Sequence, residues 1–131
     1  MGLFSTIFGT SSSEKEEREL YINWIPLNSL EQLKEISKLS KTETIAIFKH
    51  STRCSISRGV VKQFENSFGE DLSTLKVYYL DLLSFREISN EVGYQFQVLH
   101  QSPQLLVIKN EVVVTHASHY DIMSIDLKQF I

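Results

Sequence analysis

The sequence predicts a single α/β domain in which helices cover both faces of one sheet. Short aliphatic and β-branched runs, typical of buried strands, alternate with segments whose apolar residues recur every three or four positions, as in helices. At 131 residues and 42% hydrophobic content, the chain has enough apolar material for one core. The predicted order is βαβαβαββα, and we expect the domain to occupy residues 20–131.

The first strand and the first helix are predicted near the start of this domain. Residues 24–27 form a short strand, and Pro26 suits a sheet edge or a strand end because proline cannot donate a ladder hydrogen bond. Asn28 or Ser29 can cap the helix that follows. Its apolar face consists of Leu30, Leu33, Ile36 and Leu39.

The second strand leads directly to the only cysteine of the chain. Residues 44–48 form a short apolar run rich in β-formers, and Cys54 follows six positions later. Beyond it, Val60, Val61, Phe64 and Phe68 recur at helical spacing up to Gly69. We therefore expect Cys54 at the head of a helix, where free N–H groups and the helix dipole stabilise an anion.

Four more elements complete the predicted order. Residues 75–81 form the third strand, and Ser84 can cap the next helix with Glu87 at its third position, as in a capping box. Residues 104–108 and 111–116 form a hairpin that turns at Lys109 and Asn110. A final helix is predicted over residues 122–130, with Ile122, Ile125 and Phe130 on its buried face.

Two interpretations of Cys54 compete. A lone cysteine is often a small buried hydrophobe. Here, however, Arg53 and Arg58 flank the thiol and Lys49 and His50 precede it, whereas inert cysteines usually lie among aliphatic residues. Positive surroundings favour the thiolate, so we interpret Cys54 as reactive.

Composition restricts the possible functions. A formal net charge of −3 argues against a nucleic-acid-binding protein. One cysteine excludes an intramolecular disulfide and suits a reducing cytoplasm. The four histidines lack a ligand spacing, and His116 and His119 are interpreted as part of a polar turn. We expect neither a metal site nor a tightly bound cofactor.

Residues 1–19 are interpreted as a flexible leader and linker. The apolar stretch 1–9 is too short to span a bilayer and lacks the basic region of a signal peptide. Gly2 and Thr6 match the loose N-myristoylation pattern. A frayed tail, a contact between molecules and a weak membrane-surface anchor remain open, in that order, and we expect a monomer or a weak dimer.

Three separated stretches resemble the monothiol bacilliredoxins, the thioredoxin-like family of the bacillithiol-system protein YtxJ. They are residues 48–57 (Phe-Lys-His-Ser-Thr-Arg-Cys-Ser-Ile-Ser), 102–104 (Ser-Pro-Gln) and 114–119 (Val-Thr-His-Ala-Ser-His). The resemblance spans residues 24–131 and implies a thioredoxin-like fold with a central mixed sheet and a cis Pro103 facing Cys54. Ser55 departs from the family's better-known Cys-Pro-Ile-Ser tetrad, and without the proline the helix start is less rigid.

The resemblance implies a monothiol thiol–disulfide oxidoreductase. Cys54 is the expected nucleophile, and Ser57 either hydrogen-bonds its sulfur or is only a polar first-turn residue. The expected substrate-binding residues are Arg53, Ser55, Arg58, Ser102, Pro103 and Gln104. The expected partners are S-thiolated client proteins and a bacillithiol-like small thiol as co-substrate. A non-catalytic thioredoxin-like binding module is the alternative.

Overall fold

The computed structural model describes residues 20–131, so the predictions for the leader and linker lie outside the described residues. The strands and helices, in chain order, are β1 (Asn23–Pro26), α1 (Leu30–Leu39), β2 (Ile45–His50), α2 (Ser55–Asn66), β3 (Lys76–Asp81), α3 (Arg86–Phe96), β4 (Gln104–Lys109) and β5 (Val112–Ser118). Short 3-10 helices span Glu70–Leu72, His119–Ser124 and Leu127–Phe130. None of the helices in this part of the chain is long and apolar enough to cross a membrane.

The five strands form one mixed sheet in the order β1-β3-β2-β4-β5. Strands β1, β3 and β2 are parallel, whereas β4 runs antiparallel to both β2 and β5. The α/β prediction is thus confirmed, and Pro26 ends an edge strand as expected. Strand β2 lies at the centre of the sheet, and all six of its residues are buried.

Alternate residues of β2 point into two separate cores, one on each face of the sheet. On one face, Ala46 and Phe48 pack against α2 and the C-terminal 3-10 helices through Val60, Phe64, Ile122 and Leu127. On the other face, Ile45 and Ile47 pack against α1 and α3 through Leu33, Ile36, Ile88 and Val92. Helices cover both faces, as the aliphatic strands predicted.

The predicted final helix over residues 122–130 is wrong. Two 3-10 helices occupy this region, and the chain between them is extended at Ile125 (φ −79°, ψ 125°). Ile122 and Leu127 are both buried in the same core, yet on one continuous α-helix they would point about 140° apart. The break lets both side chains reach the core, and Asp126 caps the second 3-10 helix by accepting from the Lys128 N–H at 3.3 Å.

The two predicted helix caps have opposite outcomes. Ser29 is the N-cap of α1, where the Gln32 side chain accepts from the Ser29 N–H at 3.1 Å. Ser84 is not a cap, because α3 begins one residue later with Phe85 as its N-cap. The Ser84 hydroxyl instead donates to Asp81 at 3.0 Å, and Glu87 becomes the second helical residue.

The hairpin turns one residue later than predicted. Asn110 and Glu111, with φ of 52° and 70°, form its two-residue loop, and Lys109 pairs with Val112. Positive φ at both positions fits the twist of a hairpin but is unfavourable for a side chain such as that of Glu111. Two hydrogen bonds from Ser40, at the end of α1, stabilise the loop. The Ser40 carbonyl accepts from the Asn110 N–H at 2.7 Å, and the Ser40 hydroxyl accepts from the Glu111 N–H at 2.9 Å.

Candidate active site

Cys54 lies at the head of α2, as the sequence predicted. It is the N-cap residue with an extended backbone (φ −101°, ψ 123°), and its side chain is partly exposed. Its N–H donates to the Ser51 carbonyl at 3.1 Å, and its carbonyl accepts from the Arg58 N–H at 3.0 Å. These two bonds fix the backbone of Cys54 between the end of β2 and the first turn of α2, whose N–H groups are free to stabilise an anion.

Ser57 is fully buried in that first turn, and its hydroxyl has two neighbours. The Ser51 N–H donates to its oxygen at 3.1 Å, and Nδ1 of His50 lies 2.7 Å away. Ser57 therefore connects the end of β2, the loop before Cys54 and the helix after it. Residues 50–57 form one hydrogen-bonded unit.

The surroundings of His50 favour its neutral form. Burial is the main cause that lowers its pKa below 6.5, and Arg58 acts in the same direction, while Asp81 and Glu65 oppose them. When neutral Nδ1 carries no proton, it accepts from the Ser57 hydroxyl, which then has no second proton to donate. When Nδ1 carries the proton, the Ser57 proton is free for another acceptor. The tautomer of His50 thus decides whether the Ser57 hydroxyl proton is available to another acceptor.

The two arginines beside Cys54 are placed differently. Arg58 folds back over the loop, where its Nη1 donates to the Thr52 carbonyl at 3.2 Å. Arg53 and Ser55, on either side of Cys54, are exposed. Arg58 is exposed as well, but its guanidinium has a hydrogen bond to the cysteine loop.

The Ser102–Pro103 peptide bond is cis, as expected from the resemblance. Gln104, the next residue, pairs in register with Lys49 of β2, so Pro103 lies at the end of the sheet where β2 stops and the chain continues to Cys54. The Pro103 carbonyl accepts from the His119 N–H at 2.9 Å. Ser102 Oγ and Gln104 Oε1 are buried and lack hydrogen-bond partners among the described residues.

Sequence reasoning missed the burial of Lys49. This side chain is fully buried on the α3 face of the sheet, where its Nζ donates to the Ser89 carbonyl at 3.2 Å and lies 3.3 Å from Nδ1 of His100. Burial lowers its pKa to about 8. The signal was available, because Lys49 shares a strand face with Ile45 and Ile47, which both lie in the core.

The predicted polar turn at His116 and His119 is wrong for His116. His116 lies in β5, and His119 begins the following 3-10 helix with φ of 56°. Within residues 20–131, no three His, Cys, Asp or Glu side chains are grouped to hold a metal ion.

Comparison with known proteins agrees with this arrangement. A family model described as Monothiol bacilliredoxin BrxC matches residues 25–127. A protein assigned as an oxidoreductase with a thioredoxin fold is 28% identical (TM-score 0.65), and the match covers 76% of this chain and 85% of that protein. The thioredoxins of Malassezia sympodialis and Schistosoma mansoni are 18% and 17% identical (TM-scores 0.66 and 0.65). Both matches cover 86% of this chain; they cover 92% of the Malassezia protein and 100% of the Schistosoma protein. The fold is therefore thioredoxin-like.

Proposed function

Because the chain belongs to the monothiol bacilliredoxin BrxC family, we propose that it removes a small thiol such as bacillithiol from protein mixed disulfides. The observation that carries this proposal is the position of Cys54, the only cysteine in the chain, at the N-cap of α2. A thiolate there is a nucleophile for disulfides. Ser57, three residues further, takes the position at which a Cys-x-x-Cys enzyme has its second thiol.

The first step is attack by the Cys54 thiolate on the small-thiol sulfur of a client mixed disulfide. The disulfide of the client breaks, a new disulfide forms between Cys54 and the small thiol, and the client cysteine leaves as a thiolate that takes a proton from water. The client is reduced, and the oxidising equivalent is now on Cys54.

The second step needs an external thiol, because the sequence has no other cysteine. A second small thiol, as its thiolate, attacks the adduct, forms a disulfide with the first small thiol and releases Cys54 as a thiolate. That small-molecule disulfide then carries the oxidising equivalent. This requirement suits a reducing compartment such as the cytoplasm.

The other sequence-predicted residues have supporting roles in this proposal. Ser57 and His50 hold the loop before Cys54, and Arg58 and Arg53 supply positive charge near the sulfur. Backbone groups of Ser102, Pro103 and Gln104 offer an extended edge along which the bound thiol compound can lie, beside Ser55 at the helix start. In β4, Gln104 already pairs with Lys49 and Ser118, and the Pro103 carbonyl accepts from the His119 N–H, so Ser102 supplies the backbone groups for this contact.

The test uses a client protein that carries one bacillithiol on a single cysteine. The full chain and Cys54→Ser are incubated with it, and both proteins are weighed by mass spectrometry after an acid quench. We expect one Cys54 adduct for each client released, and repeated turnover once free thiol is added. The same client carrying glutathione measures preference between small thiols.

A client that stays modified while Cys54 remains unmodified would contradict the proposal. That result would favour the alternative, a thioredoxin-like binding module whose cysteine does no chemistry. A client that is released equally by Cys54→Ser would show that the reaction does not pass through this sulfur.

A further inference from the structure

A cavity of about 490 Å³ opens beside α2, between this helix and the edge of the sheet formed by β1 and β3. The rings of Trp24 and Tyr79 form one wall, and His50 lies at the end nearest the cysteine loop. The wall from α2 consists largely of Arg58, Lys62 and Glu65. The volume is in the range of small-molecule sites.

The charges around this cavity favour an anion. Arg58 and Lys62 lie four residues apart and therefore share one face of α2. Glu65 is the only acidic residue that lines the cavity among the described residues, and its carboxylate accepts from the indole N–H of Trp24 at 2.7 Å. Asp81 acts on His50 from the paired position on β3. Two cations thus face the cavity against one engaged carboxylate.

The cavity is joined to the reactive cysteine through Arg58. The backbone N–H of this residue donates to the Cys54 carbonyl, and its guanidinium donates to the Thr52 carbonyl. Cys54 and Arg58 are one helical turn apart, about 6 Å along the axis. Because Arg58 also lines the cavity, the cavity begins within one helical turn of Cys54.

We propose that the cavity beside α2 binds the anionic arm of the small thiol that is carried on Cys54. This inference rests on the proposed function, and its ligand class is a thiol compound with carboxylates on an arm a few bonds away from sulfur. Trp24 and Tyr79 enclose the body of that arm, and Lys62 and Arg58 pair with its charge. Recognition is thereby assigned to α2 rather than to Arg53.

The test measures which adduct Cys54 prefers at equilibrium. The protein is held in a redox buffer of mercaptosuccinate and mercaptoethanol with their disulfides, and the two adducts are counted by mass spectrometry. Exchange of one adduct for the other breaks one disulfide, forms another and causes no net oxidation. We expect Lys62→Gln to lower the ratio of mercaptosuccinate to mercaptoethanol adduct roughly two- to fivefold.

Matched variants separate recognition from total charge. Lys34→Gln removes one exposed lysine from α1, on the opposite face of the sheet, and should leave the ratio unchanged, while Lys62→Arg should preserve it. Trp24, the only tryptophan, gives a second measurement, since a mercaptosuccinate adduct should shield it from acrylamide quenching more than a mercaptoethanol adduct.

An equal ratio in Lys62→Gln and Lys34→Gln, or equal quenching with both adducts, would overturn the inference. The ratio needs no client protein. If Lys62→Gln lowers the adduct ratio as expected while the wild-type protein never releases a client, the cavity assignment stands and the proposed function fails.

Discussion

The hydroxyl oxygen of Ser57 lies 2.7 Å from Nδ1 of His50, across the loop that carries Cys54. Both residues are buried, and the same oxygen accepts from the Ser51 N–H. A serine that occupies the second thiol position of Cys-x-x-Cys enzymes is thus also a structural anchor. Replacing Ser57 therefore changes both the chemistry at this position and the hydrogen bonds that stabilise the loop.

Ser57→Ala should lower the free energy of unfolding by about 1–3 kcal/mol, because the Ser51 N–H and the His50 ring lose their buried partner. The freed loop should also slow client release by roughly five- to tenfold, which corresponds to a barrier increase of about 1–1.4 kcal/mol. Urea unfolding and the mass-spectrometric client assay measure the two effects.

Ser40→Ala is the matched control, since Ser40 is also buried and its hydroxyl accepts a backbone N–H, that of Glu111. It lies at the opposite end of the sheet and should lose comparable stability at unchanged client release. If both variants lose activity equally, the Ser57 effect is one of stability alone.

Ser57→Cys should convert the one-thiol reaction into a two-thiol reaction. A second thiol three residues from Cys54 can attack the adduct, expel the small thiol and leave an intramolecular disulfide. In intact mass spectra, the adduct should be replaced by a species two mass units lighter than the reduced protein. Ser67→Cys adds a thiol just beyond the other end of α2 and should leave the adduct in place. Equal adduct lifetimes in the two variants would contradict this prediction.

The buried Lys49 makes the free energy of unfolding depend on pH above neutrality. Its pKa is about 8 in the folded protein against 10.5 in the unfolded chain, so between these values the unfolded chain binds more protons. Stability therefore rises with pH through this window, by up to about 3 kcal/mol, and the cost of burying the charge is fully present below pH 8.

Lys49→Met removes this titration. Urea unfolding at pH 7 to 10 should show the wild-type protein gaining stability relative to Lys49→Met as pH rises. A difference between the two proteins that stays constant over this range would show that Lys49 does not lose its proton there.

Gly59→Ala should stabilise the protein by about 0.5–1 kcal/mol. Gly59 lies inside α2, and a Cβ at this position would meet no heavy atom within 4 Å. Alanine loses less conformational entropy than glycine on folding into a helix. Gly93→Ala in α3 is the contrasting variant, because its Cβ would lie 3.1 Å from the Val98 carbonyl oxygen. An equal gain from both would mean that local space is not what decides the outcome.

The segment from β2 to α2 could be predicted because its signals are local. An apolar run, a cysteine and a helical repeat are each visible within about ten residues, and the structure places Cys54 at the junction as expected. The cis bond before Pro103 followed from resemblance and not from local physics.

The remaining features depend on contacts between distant parts of the chain. The C-terminal segment has a helical repeat at Ile122 and Ile125, but burial of Leu127 in the same core overrides it. Charged side chains are usually exposed, so the burial of Lys49 runs against the ordinary preference. The His50 contact with Ser57 joins the end of a strand to the first turn of a helix across a loop. No periodic pattern in the sequence predicts a contact of this kind.

The central place of β2 in the sheet has a consequence for motion. Its backbone is paired with β3 on one side and β4 on the other, so its amide hydrogens can exchange with deuterium only when the sheet itself opens. The sulfur lies four residues beyond this strand, after an exposed loop at Thr52 and Arg53. Deuterium uptake should therefore be slow up to Ser51, whose N–H donates to the buried Ser57 hydroxyl, and faster at Thr52 and Arg53. Local opening at Thr52 and Arg53 therefore does not require the neighbouring strand β2 to open.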